Sequence, residues 1–219
     1  MLTLQQLILD YAHIPVFFAL LFSIIRIPRL SKGARFLFLY LLITSIIELL
    51  AGFLNNKGQS NLPLLHVYVP LEFFTLGMLY LYYLKGSIKS RYIAILIIGF
   101  ITYSIINSIF FSDLYSFNNI ARGIENILLL LLTLIYYAKV LFEMKIKKLE
   151  KEPMIWINTG ILFYFASNLF VFIFSNVALS YSEQLNLAIW TFHAVFNWIL
   201  YILISIGLLL LPQKVKAKL

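Results

Sequence analysis

The stretch NIARGIENILLLLLTLIYYAK, residues 119–139, decides how the rest of the chain is read. Its second half is an almost unbroken apolar run that ends in two tyrosines, Ala138 and a lysine. Taken whole, it is long enough to cross a hydrocarbon core of roughly 30 Å at 1.5 Å per residue. Its first half places Arg122, Glu125 and Asn126 inside the same segment. Ionisable groups in lipid cost several kcal/mol unless they face a protein interior or a wet cavity. The segment therefore reads as a transmembrane helix with one face turned into a bundle.

Working outward, six further stretches have the same character. The spans are expected at about 8–25, 35–54, 63–84, 92–111, 119–141, 154–176 and 186–211. With 62% hydrophobic and 12% charged residues, and a mean hydropathy of +0.93, the chain is an integral membrane protein. The expected fold is an all-α, polytopic bundle of seven transmembrane helices forming a single domain, 1–219, with no room for a soluble catalytic or DNA-binding unit. Asn55-Asn56-Lys57-Gly58 and Lys85-Gly86 mark loops, Pro63 and Pro153 open helices, and Pro212 stops the last one. Pro15 and Pro70 fall inside spans, where kinks are expected.

Charge placement fixes the expected orientation. Of the 17 basic residues, all but Lys57 and Arg122 lie in the first, third and fifth loops or at the C-terminal end. Basic loops mark the cytoplasmic face, so the N-terminus is expected outside and the C-terminus inside. The same pattern reads the net charge of +8 as contact with anionic lipid headgroups, and it argues against nucleic acid as a partner. Residues 1–7 carry no Lys or Arg, so the first span is expected to be retained rather than cleaved. There is no cysteine, which excludes disulfides and thiolate metal sites. Small size, the Ile/Leu/Phe/Lys/Asn bias and short loops point to a bacterial cytoplasmic (inner) membrane.

The polar residues within spans fall on stripes. At 100° per residue, Tyr40, Thr44 and Glu48 share a face, Tyr68 and Glu72 lie one turn apart, and Tyr164 and Asn168 do the same. His193, Asn197 and Tyr201 line the last span. A weak 3+1+3 pseudo-repeat is expected, since Asp10 and His13 match the spacing of Arg122 and Glu125. Arg122 pairs with Glu125 at i, i+3. Glu72, roughly 13 Å into its helix, and the slightly shallower Glu48 have no basic partner within their own spans. Such carboxylates must pair, bind a cation or stay protonated. The candidate ligand-binding residues are Glu48, Tyr68, Glu72, Arg122, Glu125, Asn168, His193 and Asn197. A second possibility is a Zn²⁺ site with His13, His66 and His193 as ligands and Glu72 or Glu48 as general base. His66 lies about 120° around its helix from Glu72, which works against a shared focus. Tyr11, Tyr40, Tyr92 and Trp190 read as interfacial anchors.

The segment Leu-Ala-Ile-Trp-Thr-Phe-His-Ala-Val-Phe-Asn, from Leu187 to Asn197, followed by Trp-Ile-Leu-Tyr-Ile-Leu, resembles the last span of small uncharacterised bacterial seven-transmembrane proteins. Some of these are sensor-like and accompany histidine kinases. The resemblance covers the last third and implies sensing, with no chemistry attached. The chain also resembles the zinc-dependent alkaline ceramidases in topology, but the histidine pair of their final helix is here His193 and Asn197. The Pro-Gln motif of 3+1+3 sugar transporters is absent, as Val16 follows Pro15. The expected function is a receptor-like or sensory membrane protein that binds a small polar or amphiphilic ligand in an outward-facing cavity and signals through a protein partner. The alternatives are a small-solute transporter and a metal-dependent hydrolase of a lipid-like substrate.

Overall fold

The computed structural model describes residues 3–144, 146–181 and 183–211. They form eight α-helices: α1 (Leu4–Asp10), α2 (Ile14–Arg26), α3 (Ala34–Asn56), α4 (Leu62–Tyr83), α5 (Ser90–Ile106), α6 (Asn119–Glu143), α7 (Pro153–Tyr181) and α8 (Glu183–Leu209). Seven helical stretches are long and apolar enough to cross a membrane, with Leu4–Arg26 counting as one. The protein is thus an all-α, multi-pass membrane protein in contact with the bilayer. Ile98, Leu131 and Ile202 are among the large apolar side chains exposed on its outer faces. Lys145, Pro212, Lys214, Lys216 and Lys218, which the sequence assigns to basic loops and to the stop after the last span, lie outside the described residues.

The first span is not a single kinked helix. Thr3 and Gln6 cap α1 reciprocally, and the helix ends at Asp10 before α2 restarts with Pro15 in its first turn. A proline ring clashes with the carbonyl four residues earlier, here that of Tyr11, and supplies no N–H. The break leaves the carbonyl of Ala12 without a helical partner, and Asn197 Nδ2 on α8 donates to it at 3.3 Å. Pro70, by contrast, is carried within a continuous α4. At the other end of the bundle's hydrogen-bond repertoire, α5 passes into a π-helical turn at Asn107–Phe111. There Asn107 Nδ2 donates to Ser112 Oγ (2.9 Å) and Asn118 Oδ1 (3.0 Å), tying α5 to the approach to α6.

Neighbouring helices close a ring. α2 packs on α3, α3 on α4, α4 on α6, α6 on α7, α7 on α8, and α8 returns to α2, with α5 packed outside against α4. The ring's interior is layered. Toward the basic loops it is filled by Leu37, Leu41, Leu76, Leu129, Ile161 and Ile204, all buried. Beyond them Tyr80 Oη donates to Asn158 Oδ1 (2.7 Å), and Asn158 Nδ2 reaches Thr133 O (3.3 Å), joining α4, α7 and α6. Tyr40 belongs to this interior rather than to an interface. It is 1% exposed, and its hydroxyl lies 3.5 Å from that of Tyr201. An interfacial anchor needs contact with headgroups, which α4 and α8 deny it.

Close backbone approach holds α7 against α8. A Cβ placed on Gly207 would lie 2.7 Å from Pro153 O and 2.7 Å from Ile157 Cγ1, and one on Gly160 would lie 3.1 Å from Leu200 O. Small residues at such crossings are what lipid-embedded helices use to gain van der Waals contact. Gly207→Ala is expected to cost about 1–3 kcal/mol, as overpacking does, and to lower the melting temperature in detergent. Gly99→Ala, with nothing within 4 Å of the added atom, should not lower it. Equal melting of Gly207→Ala and wild type would show that the helices do not approach so closely.

Candidate functional site

A guanidinium in the ring's interior organises the polar layer. Arg122 enters on the first turn of α6, one turn before Glu125, so the i, i+3 spacing brings their side chains together. Nη1 donates to Glu125 Oε2 at 2.7 Å and also to Glu72 Oε2 on α4. Nη2 donates to the hydroxyl of Tyr164 on α7 at 3.3 Å, and the guanidinium carbon lies 5.6 Å from the centre of the Tyr68 ring. Glu72 and Glu125 are both fully buried. Glu72 has no basic partner within its own span. The packing of α4 on α6 supplies one.

From Glu72 the network runs to α3. Tyr68 Oη donates to Glu72 Oε1 at 2.9 Å and lies 3.1 Å from Thr44 Oγ1, which itself donates to Tyr40 O at 2.9 Å. Three stripes that the sequence marks separately thereby meet in one polar cluster, with the Tyr68 and Thr44 hydroxyls in contact. Three atoms beside it find no partner among the described residues: Glu125 Oε1 and both the Nδ2 and Oδ1 of Asn126 are buried and unpaired.

Above this layer, on the side away from the basic loops, lies a cavity of about 350 Å³. Glu48, Tyr68, Arg122, His193 and Asn197 all line it, together with Thr44, Tyr164 and Tyr201. Its mouth is framed by Asn61 and Leu62 at the start of α4 and by Phe117 before α6, and its side wall by Ile47, Ala51, Leu64 and Leu65. Five of the eight nominated residues thus face one space. Glu72 and Glu125 sit behind Arg122, and Asn168 is fully buried one turn beyond Tyr164; none of these three lines the cavity. Tyr164 and Tyr201 were legible as stripe members, four residues from Asn168 and Asn197. Phe117 and Asn61 were not, because loop residues carry no period.

The three histidines are not gathered. His66 faces the π-helical turn and the loop after it: its Nε2 lies 3.2 Å from Ser116 O and its Nδ1 3.0 Å from Ser108 Oγ. A carbonyl only accepts, so Nε2 carries the hydrogen and Nδ1 accepts from Ser108. Neither nitrogen is left for a metal. His13 is exposed at the α1–α2 break beside Phe17. His193 lines the cavity, 5.7 Å from the ring of Tyr164 and 5.9 Å from that of Trp190. No group of three His, Cys, Asp or Glu side chains able to hold a metal occurs among the described residues. A Zn²⁺ site built on His13, His66 and His193 is therefore at odds with the helix packing. Trp190 stacks on Phe117 with ring centres 6.0 Å apart, so it borders the cavity's mouth rather than serving only as an anchor.

No protein-family model, curated protein or solved structure matches the chain. The site is accordingly read from its own chemistry.

Arg122 is the sole cation between two buried carboxylates, and removing it should be costly. Arg122→Gln is expected to destabilise by about 3–5 kcal/mol, the usual cost of orphaning a buried charge. Adding Glu72→Gln and Glu125→Gln to it should restore most of the loss, since no uncompensated charge then remains. Thermal unfolding of the single and triple variants in detergent provides the check. A triple variant no more stable than the single one would show that charge compensation is not what the cluster provides.

Proposed function

We propose that the cavity is the binding site of a receptor-like or sensory protein of a bacterial cytoplasmic membrane, with the N-terminus outside and the C-terminus inside. The ligand is small and polar or amphiphilic, and it enters from the outer face. The observation that carries this reading is the cavity itself. It sets Glu48, Arg122, His193 and Asn197 among apolar side chains such as Ile47, Leu64 and Leu65, is about 350 Å³ in volume, and lies beyond the buried apolar layer of Leu41, Leu76, Leu129 and Ile161 that stands toward the basic loops. Convergent polar groups set among apolar side chains, in a concavity within roughly 300–1,000 Å³, suit a small-molecule site. A pocket open at one end and plugged at the other favours sensing over passage.

A route for the signal is present in the same helices. α8 contributes His193, Asn197 and Tyr201 to the cavity, and at its far end Leu209 O accepts from Arg26 Nη2 at 3.2 Å. A shift of α8 on ligand binding would reach the first basic loop, where a cytoplasmic or membrane protein partner can read it. If the protein instead carries its ligand across, purified protein in liposomes will accumulate labelled solute; a receptor will not.

The native chain has no cysteine, so single cysteines report access cleanly. Ala51→Cys and Leu64→Cys, on the cavity wall, are expected to react with a membrane-impermeant thiol reagent on intact cells. Lys89→Cys, in a basic loop, should react only after permeabilisation. The reverse pattern would overturn the orientation, and cavity cysteines silent under both conditions would overturn the ligand site.

A further inference from the structure

We propose that the ligand of this cavity is a small organic cation, an amine with a compact apolar body whose ammonium group is held by Glu48. The inference rests on the cavity being a ligand site and adds the charge and class of what it takes.

Charge around the cavity is unbalanced. Glu48, Glu72 and Glu125 face a single guanidinium, that of Arg122. Arg122 is already committed, with Nη1 shared by Glu72 and Glu125 and Nη2 on Tyr164. An incoming anion would meet a guanidinium already shared between two carboxylates that lie behind it. Glu48 differs from the other two acids. It lines the cavity, and it takes part in none of the ion pairs among the described residues. His13, at the exposed α1–α2 break, does not close to an ion pair with it.

A carboxylate at membrane depth stays ionised at least cost when a cation joins it, and the cavity leaves room for one. Its other features suit an ammonium. The rings of Tyr68, Phe117, Tyr164 and Tyr201 line the same space, and aromatic faces attract cations within about 6 Å. Nδ1 of His193 is buried with no partner among the described residues; in the neutral ring's Nε2–H tautomer it accepts a second N–H. The side wall of Ile47, Leu64 and Leu65 takes an apolar body, and a volume of about 350 Å³ lies at the small end of ligand pockets.

Three probes of equal shape separate charge from fit: 2-phenylethylammonium, 2-phenylethanol and phenylacetate. Each is titrated into the full-length protein in neutral detergent while Trp190 emission is followed, with Trp190→Phe as the blank. Trp190 touches Phe117 and His193, so occupancy changes its surroundings. The amine is expected to bind at least about tenfold more tightly than the alcohol, the scale of one charge-assisted hydrogen bond, and phenylacetate is expected not to bind. Glu48→Gln should remove that advantage, bringing the amine's affinity down to that of the alcohol. If the alcohol or phenylacetate binds as tightly as the amine, or if Glu48→Gln leaves amine binding intact, the cation assignment is overturned and the cavity remains a ligand site. If none of the three gives a saturable change, the ligand site falls with it. The ranking of the probes on wild-type protein decides the matter even if the variant folds poorly.

Discussion

Arg122 is the constraint around which the bundle is arranged. Lipid offers helices no hydrophobic reason to associate, so packing and polar contacts must hold them together. A guanidinium and two carboxylates inside a bilayer leave little freedom: each must find the others, or the chain bears the cost of an isolated charge. Glu72 comes from α4, Arg122 and Glu125 from α6, and the hydroxyl on Nη2 from Tyr164 of α7. Satisfying one side chain therefore fixes three helices in rotation and depth. α3 is drawn in through Thr44 and Tyr68, and α8 through Tyr201 beside Tyr40.

The cluster also explains why the interior divides into two zones. Nearer the basic loops the ring closes on apolar side chains and one Tyr80–Asn158 hydrogen bond. On the other side of Arg122 the side chains do not fill the ring, and the walls change to Glu48, His193 and Asn197. Polar groups that serve only as interhelical glue tend to be fully paired, as Tyr80 and Asn158 are. Among the described residues, two of those above Arg122 are not: Glu48 has no ion pair, and His193 Nδ1 has no partner.

Much of this was legible in the sequence. Hydropathy gave seven spans, and helical periodicity placed Thr44 with Glu48, Tyr68 with Glu72, and His193 with Asn197 on inward faces. Intrahelical spacing paired Arg122 with Glu125. What periodicity could not supply was which helices are neighbours, so Glu72 looked unpartnered and three histidines at similar depth looked able to meet. His66 turns instead to Ser108 and Ser116, a loop contact with no sequence period. Proline chemistry located the fault in the first span, but whether the outcome is a kink or a full break depends on a partner for the freed carbonyl. Asn197 provides it from the opposite end of the chain.

That last contact has a consequence for how the protein is made. Ala12 and Asn197 lie in the first and the last described spans, and α2 and α8 are where the ring closes. Synthesis runs from the N-terminus, so the early spans enter the membrane with the ring open. Glu72 meets Arg122 as soon as α6 is inserted, well before α8 arrives. Glu48 has no such early partner, and its side of α3 faces the unfilled gap until α7 and α8 arrive. The order of insertion thus leaves the surface that will line the cavity exposed to lipid longest, and makes the arrival of α8 the step that converts a polar seam into an enclosed room.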